Sequence, residues 1–288
     1  MADPNALEQL LSVLPTVRDR HAPQDPLHQV LKRAARAWVE ESFAGEAGDP
    51  VSFEPFGEIL FPYFRMGAVD SMNLFDLDEL ILFSFYHASR DRYRCVADIG
   101  ANLGLHSLLL ARCGFEVRSY EPDPVHADLL QANLERNDVR NVTLHRAAVS
   151  AEDGEMEFVR VKGNTTGSHL AGAKSNPYGE LDRFPVEVVA IGPILRWADL
   201  IKLDAEGHED VILAATDSAD WQGTDAVVEV GSPENADVVF EHFRGTGIQL
   251  FAQQLDWKRV ESREQMPESY KHGSLFISGR DAMPWSGK

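Results

Sequence analysis

One stretch constrains this chain more than any other. Residues 94–107 run from a short apolar segment (Val96, Ala97, Ile99) through a small-residue turn (Gly100, Ala101, Asn102, Leu103, Gly104) into a helical pattern carrying Leu105, Leu108, Leu109 and Ala111. A strand, a tight turn and a helix N-terminus in direct succession form the arrangement on which α/β proteins receive a ligand, using free backbone N–H groups. Which ligand it receives depends on the rest of the sequence.

Downstream, strands and helices alternate. Phe115–Tyr120 reads as a strand that ends at Glu121 and Pro122, and Asp123 caps a helix carrying Val125, Leu129, Leu130, Ala132 and Leu134. Further strands are expected at 142–145, 147–150, 156–161, 186–191, 200–203, 226–230, 248–252 and 274–277, with helices at 211–215 and 236–243. This succession predicts an α/β fold with a mostly parallel, doubly wound sheet. Such sheets bind ligands beyond the C-terminal strand ends, at the topological switch point. Asp98, Glu121, Ala148, Asp204 and Glu229 all fall at or just past such ends. Residues 162–183, rich in Gly, Asn, Ser and Thr, read as one long loop, and loops beyond ~12–15 residues are often lids or binding loops.

Upstream, residues 1–26 show weak periodicity and are expected to be a loosely attached start. Leu27, Val30, Leu31, Ala34, Ala35, Trp38 and Val39 recur at helical spacing, and Gly45, Gly48 and Pro50 end that helix. The aromatic-rich segment 51–65, broken by Pro and Gly, suggests two short strands. A second helix follows, with Leu77, Leu80, Ile81, Ser84 and Phe85 on one face. Residues 1–90 thus read as a small N-terminal helical/β cap packed on a main domain of residues 91–288. The helix at 27–42 can pack on its own domain or on a second subunit, so a homodimer stays open.

Composition narrows the partners. The 288 residues are 44% hydrophobic and 25% charged, ordinary globular usage, with a net charge of −19. An acidic surface repels phosphate backbones and anionic lipid, which argues against nucleic-acid and membrane partners. Cys95 and Cys113 form no CxxC pair, so neither a metal motif nor a disulfide scaffold is expected. With no signal peptide and no membrane-length apolar run, a cytoplasmic protein is expected, and the glycosylation patterns at Asn141 and Asn164 read as chance matches.

The turn itself chooses between cofactors. A dinucleotide needs GxGxxG so that the backbone can approach a pyrophosphate. Here Asn102 takes the place of the middle glycine, and Asp98 stands two residues ahead of Gly100. An aspartate there suits an ammonium group better than a pyrophosphate. Glu121 lies near the ~20-residue offset at which a carboxylate meets ribose hydroxyls. A ribose and an ammonium without a phosphate describe S-adenosylmethionine. An NAD-linked oxidoreductase on the same fold and a non-catalytic cofactor-binding protein are the alternatives.

Asp98-Ile99-Gly100-Ala101-Asn102-Leu103-Gly104, then Glu121-Pro122, Ala148-Val149 and Asp199-Leu200-Ile201-Lys202-Leu203-Asp204-Ala205-Glu206-Gly207-His208-Glu209, in that order, resemble the FkbM-type S-adenosylmethionine-dependent methyltransferases. The resemblance covers about residues 90–230, and the D-x-E-G-x-E element is its specific part. It implies a class I, Rossmann-like methyltransferase sheet and O-methylation of a hydroxyl, or in some members a carboxylate, on a natural product or sugar. Residue by residue, it implies that Gly100, Asn102 and Gly104 shape the methionine end of the site. Asp98 would lie near the amino group, Glu121 at the ribose, and Ala147 and Ala148 near the adenine. The chain departs from the family pattern at Gly231, where a histidine is common.

A neutral hydroxyl is a poor nucleophile, so a base or a metal should assist. Asp204, Glu206, His208 and Glu229 are the candidates. Asp204, Glu206 and Glu229 near one edge suit a hard divalent ion, an alternative that nothing in the sequence calls for. His208, Glu209 and Asp210 can equally begin a helix, where acids favour the dipole. Lys202 is expected to pair with an acid inside a strand, and His106 to be packed or on the surface. His169 is a candidate acceptor contact, and residues 51–75 and 162–183 are expected to line the acceptor pocket.

Overall fold

The computed structural model describes residues 6–43, 49–174 and 179–285. The expected helix stop at Gly45–Gly48 and part of the long loop fall outside them. Helices α1 (Ala6–Val13) and α2 (Pro26–Phe43) precede strands β1 (Val51–Ser52) and β2 (Glu58–Ile59) and helix α3 (Leu77–Ala88). Then come β3 (Cys95–Ile99), α4 (Leu105–Arg112), β4 (Glu116–Tyr120), α5 (Pro124–Arg136) and β5 (Val142–His145). Next are β6 (Ala148–Ser150), β7 (Gly154–Val161), β8 (His169–Leu170), β9 (Leu181–Ala190), α6 (Ile191–Leu195), β10 (Leu200–Leu203) and α7 (Glu209–Ala214). The chain closes with β11 (Asp225–Val228), α8 (Pro233–Phe243), β12 (Gln249–Ala252), β13 (Lys258–Arg259) and β14 (Leu275–Ser278).

The main sheet has the order β13-β12-β14-β11-β10-β3-β4-β5. From β11 to β5 every pairing is parallel, and β14 runs antiparallel to both of its neighbours. The chain builds outward from β3 through β4 to β5, then returns to lay β10 on the other side of β3. That reversal puts the switch point between β3 and β10, where a doubly wound sheet opens a crevice at its C-terminal edge. Period-two alternation divides the core into two layers. Val96, Val117, Leu200 and Val227 face helices α3 and α4, while Ala97, Ile99, Ile201, Leu203 and Val228 face α6, α7 and α8.

The helix ends are set locally. Asp123 accepts the N–H groups of Val125 and His126 at the start of α5, with Pro124 in the first turn, where a missing N–H costs nothing. Asp76 caps α3 and Ser232 caps α8 in the same way.

Two features depart from the sequence reading. Residues 6–21 are anchored rather than loose: Leu7, Leu10, Leu11 and Leu14 are buried in the same cluster as Val96 and Leu108. Trp257 Nε1 donates to His21 Nδ1 at 2.9 Å. An indole can only donate, so His21 carries its proton on Nε2 and donates it to the Leu14 carbonyl, 3.0 Å away. Burial pushes this imidazole down to about 4, so it stays neutral. The periodicity was weak because Pro15 cuts the helix after little more than two turns.

The long loop is also largely ordered. β9 starts at Leu181 and pairs antiparallel with β7, while β8 pairs with the other edge of β7, giving a second sheet of order β6-β9-β7-β8. Arg160 on β7 forks onto Asp123 at 2.5 and 2.6 Å, docking this sheet against the start of α5. Among the described residues, no helix is long and apolar enough to cross a membrane.

Leu14 is 0% exposed. Leu14→Ala should therefore cost about 2–5 kcal/mol of unfolding free energy in a urea titration. A cost within about 0.5 kcal/mol, the range of surface substitutions, would mean that the N-terminal segment adds nothing to the core.

Candidate active site

The turns after β3 and β10 meet at the switch point. Gly100 has φ +75, and a Cβ there would sit 1.7 Å from the Asp204 carbonyl oxygen, so no side chain fits. Four of the five N–H groups of residues 100–104 have acceptors inside the protein. Gly100 and Ala101 donate to the Tyr120 carbonyl, Gly104 to Ala101, and Asn102 to Glu121 Oε2 at 2.8 Å. The turn therefore presents small residues and side-chain acceptors beside Glu121, and fewer open N–H groups than the sequence reading expected.

A cleft of about 610 Å³, open mouth included, lies over the turn. Gly100, Asn102, Glu121 and Ala148 form one side, and Asp204, Ala205 and Glu206 close one end. Phe158, His169 and Leu170 of the second sheet and Thr165, Thr166 and Ser168 of the turn before β8 also line it. Six residues singled out from sequence, Gly100, Asn102, Glu121, Ala148, Asp204 and Glu206, therefore line one cleft.

Three others do not. Asp98 is fully buried on the α3–α4 side of β3, because it shares the face of Val96. It accepts from Ser107 Oγ at 2.5 Å and lies opposite Lys202 in the ladder. Gly104 starts α4, where an added Cβ would meet Leu130 at 2.6 Å; its smallness serves helix packing. His208 is turned from the cleft, with Nε2 2.9 Å from Ser150 Oγ, and burial lowers its pKa. That placement removes it as a base.

The D-x-E-G-x-E element divides its labour. Glu209 is 1% exposed; its carboxylate accepts from the N–H groups of Ala205 (2.7 Å) and Gly207 (3.0 Å) and from Asn235 Nδ2 (2.9 Å). This clasp shapes the loop that presents Asp204 and Glu206 to the cleft. Burial and the Asp204 charge raise Glu209 to about 7 despite those N–H donors. Glu206, at φ +53, reaches Lys174 Nζ at 2.6 Å, and Gly207 lets the Ala173 carbonyl approach to 3.1 Å of where a Cβ would be. Burial, with Asp204 second, raises Glu206 to about 7 against the pull of Lys174. Glu229 is raised well above the carboxylate range by burial and by Asp204 and Glu206, yet it is not on the cleft wall. An added Cβ at Gly231 would meet nothing within 4 Å.

Glu121 is 5% exposed and accepts one backbone N–H on each oxygen, from Asn102 and Asp123. Each oxygen keeps a lone pair for a ligand hydroxyl. Asn102 Oδ1 is buried without a partner, an acceptor waiting for a donor. These groups fit a ligand that combines a diol with an ammonium. Among the described residues, no three His, Cys, Asp or Glu side chains come together to hold a metal ion.

Thr165, Thr166 and Ser168 lie in the segment 162–183 expected at the acceptor pocket and do line the cleft, whereas His126 on α5 was not singled out from sequence. His126 Nε2 and Thr165 Oγ1 are 3.0 Å apart, and Thr165 N–H donates to the Met66 carbonyl. Residues 66–68 therefore brace the segment over the cleft, and none of residues 51–75 lines it. His169 does line it, with Nδ1 3.0 Å from the Gly167 carbonyl, and His106 is packed as expected.

The family model described as "Methyltransferase FkbM domain" matches residues 98–254, more than half of the chain. The chain belongs to the FkbM methyltransferase domain family. It is similar to "Methyltransferase 1" of Beauveria bassiana (strain ARSEF 2860), 26% identical over 157 residues that are 46% of this chain and 62% of that protein. It is also similar to "Methyltransferase sdnD" of Sordaria araneosa, 27% identical over 175 residues, 48% of this chain and 66% of that one. Both matches cover less than two thirds of the relative. Among solved structures, the "SAM Dependent Methyltransferase from Agrobacterium tumefaciens" superposes with a TM-score of 0.42 at 10% identity, over 81% of this chain and 70% of that one. The Rossmann-like assignment stands on the sheet order itself.

Burial raises Glu121 to about 8, whereas an unfolded glutamate titrates near 4.5. The folded protein thus holds a proton that the unfolded chain releases in this window. The stability this contributes is full below about pH 4.5 and is lost as the pH rises toward about 8. Urea midpoints measured from pH 5 to 8.5 should fall with pH, and fall less steeply in Glu121→Gln; parallel slopes would contradict the shift.

Proposed function

We propose that this chain is an S-adenosylmethionine-dependent methyltransferase acting on a hydroxyl of a small molecule. The observation that carries the cofactor reading is the lining beside the glycine turn: Glu121, Asp204 and Glu206 face the cleft, while the N–H groups of Gly100, Ala101 and Asn102 are bonded internally. A pyrophosphate needs donors, so that wall repels NAD and suits an ammonium, a diol and a sulfonium. When bound, the sulfonium would supply the methyl group.

The residues then divide as follows. Glu121 holds the ribose hydroxyls on its free lone pairs, and Asn102 Oδ1 accepts from the amino group. Ala148, buried and small, leaves room for a flat base beside Phe158. Asp204, 29% exposed at the end of the cleft, is the group placed to take the acceptor proton. Glu206, engaged by Lys174, closes that end against water, which in-line transfer requires. Residues 1–90 act as a cap: residues 66–68 hold the covering segment in place. The second sheet, absent from a plain doubly wound fold, encloses the cleft and fits a small acceptor better than a polymer.

Calorimetry with S-adenosylmethionine and S-adenosylhomocysteine tests the cofactor. Both should bind, and Glu121→Ala should weaken both by about tenfold or more, as loss of two hydrogen bonds of about 1 kcal/mol each implies. Binding of neither ligand, or of NAD instead, would overturn the reading. A panel of hydroxylated small molecules screened by mass spectrometry for one added methyl tests the reaction. On any acceptor found, Asp204→Asn should lower turnover by about 10²–10⁴-fold while leaving cofactor binding in place. Unchanged turnover would remove Asp204 as the base.

A further inference from the structure

Lys202 is the buried charge that this reading leaves without a task. β10 sets it directly opposite Asp98 on β3. Its ammonium lies 3.2 Å from the Gly100 carbonyl, 3.4 Å from Asp204 Oδ2 and 3.8 Å from Asp98 Oδ1. Gly100 and Asp204 are cleft wall, so the charge stands immediately behind the surface a ligand would touch. Asp98 Oδ1 is buried and makes no hydrogen bond, which leaves Lys202 as its counter-charge.

Other groups face it from the elements packed around. Glu79 at the start of α3 and Glu229 after β11 both act on the ammonium. Glu79 is itself fixed by His106 Nε2 at 3.1 Å, and Tyr86 Oη holds His106 Nδ1 at 3.0 Å. Burial works against the lysine's charge, but Asp204 and Asp98, followed by Glu79 and Glu229, more than offset it and keep the ammonium protonated.

We propose that Lys202 is a positioning residue that sets the charge of the cleft, and with it how strongly the site prefers a sulfonium ligand over the matching neutral thioether. The inference rests on the methyltransferase reading above. A carboxylate wall binds a sulfonium well before transfer and loses that attraction as sulfur loses its charge. Ground-state stabilisation of this kind raises the barrier. Lys202, drawing on Asp204 from behind, tempers it and keeps Asp204 oriented toward the cleft.

The test is the ratio of dissociation constants for S-adenosylmethionine and S-adenosylhomocysteine, measured by calorimetry at pH 8 on the full chain. The two ligands differ only in the S-methyl group and the positive charge it puts on sulfur, so their common contacts cancel in the ratio and the methyl contact cancels between wild type and variant. Lys202→Met should shift the ratio toward the sulfonium by at least about fivefold, as one unit charge at this depth implies. Asp98→Asn, which leaves the ammonium less neutralised, should shift it the other way, and Lys202→Arg should keep the wild-type ratio. If Lys202→Met does not fold, Asp98→Asn and the more exposed Glu79→Gln decide, both expected to move the ratio away from the sulfonium. Ratios within about twofold of wild type in the charge variants that fold would overturn the inference while both ligands still bind. Failure of the wild type to bind either ligand would instead remove the methyltransferase reading, and this proposal with it.

Discussion

The site depends on how closely two turns approach each other at the switch point. The Asp204 carbonyl lies where a side chain at position 100 would begin, so the β3 turn and the β10 turn interlock through a glycine. This contact fixes the position of Asp204 relative to Asn102 and Glu121, three groups from distant parts of the sequence. Without it the sheet could still form, but the cleft would not keep its shape. The close contact also explains why Gly100, Ala101 and Asn102 give their N–H groups to internal acceptors: buried backbone donors packed this tightly need partners.

Charge is the second constraint. Glu121, Glu206 and Glu209 gather at the C-terminal edge of the sheet, each raised into or above the neutral range by burial, with Asp204 between them. Each has a different means of staying there. Backbone N–H groups hold Glu121 and Glu209, Lys174 holds Glu206, and Lys202 stands behind Asp204. A cationic ligand would complete this balance, which ties the electrostatics of the empty protein to the chemistry proposed for it. An unpaired set of buried acids would otherwise cost several kcal/mol.

Much of this was legible in the sequence. The strand-turn-helix periodicity, the glycine turn and the order of the carboxylates at strand ends gave the sheet and most of the cleft wall. What escaped the reading did so for physical reasons. Asp98 sits in the right motif, but strand alternation carries it to the opposite face, a consequence visible only once Val96 is known to face α3 and α4. His208 lies between two functional acids, yet the turn through Glu206 and Gly207 rotates it onto Ser150. The clasp of Glu209 on its own loop and the latch of Lys174 on Glu206 are tertiary contacts with no local signature. Of the covering sheet, β8 and the start of β9 were read as loop, because β8 has two residues and the start of β9 is polar, so neither shows a strand's alternation.

The most direct measurement is a crystal structure of the chain with S-adenosylhomocysteine. The account predicts the ribose hydroxyls on Glu121, the amino group within reach of Asn102 Oδ1, and the sulfur facing Asp204 under the covering segment. A ligand bound elsewhere, or one whose sulfur points away from Asp204, would contradict it.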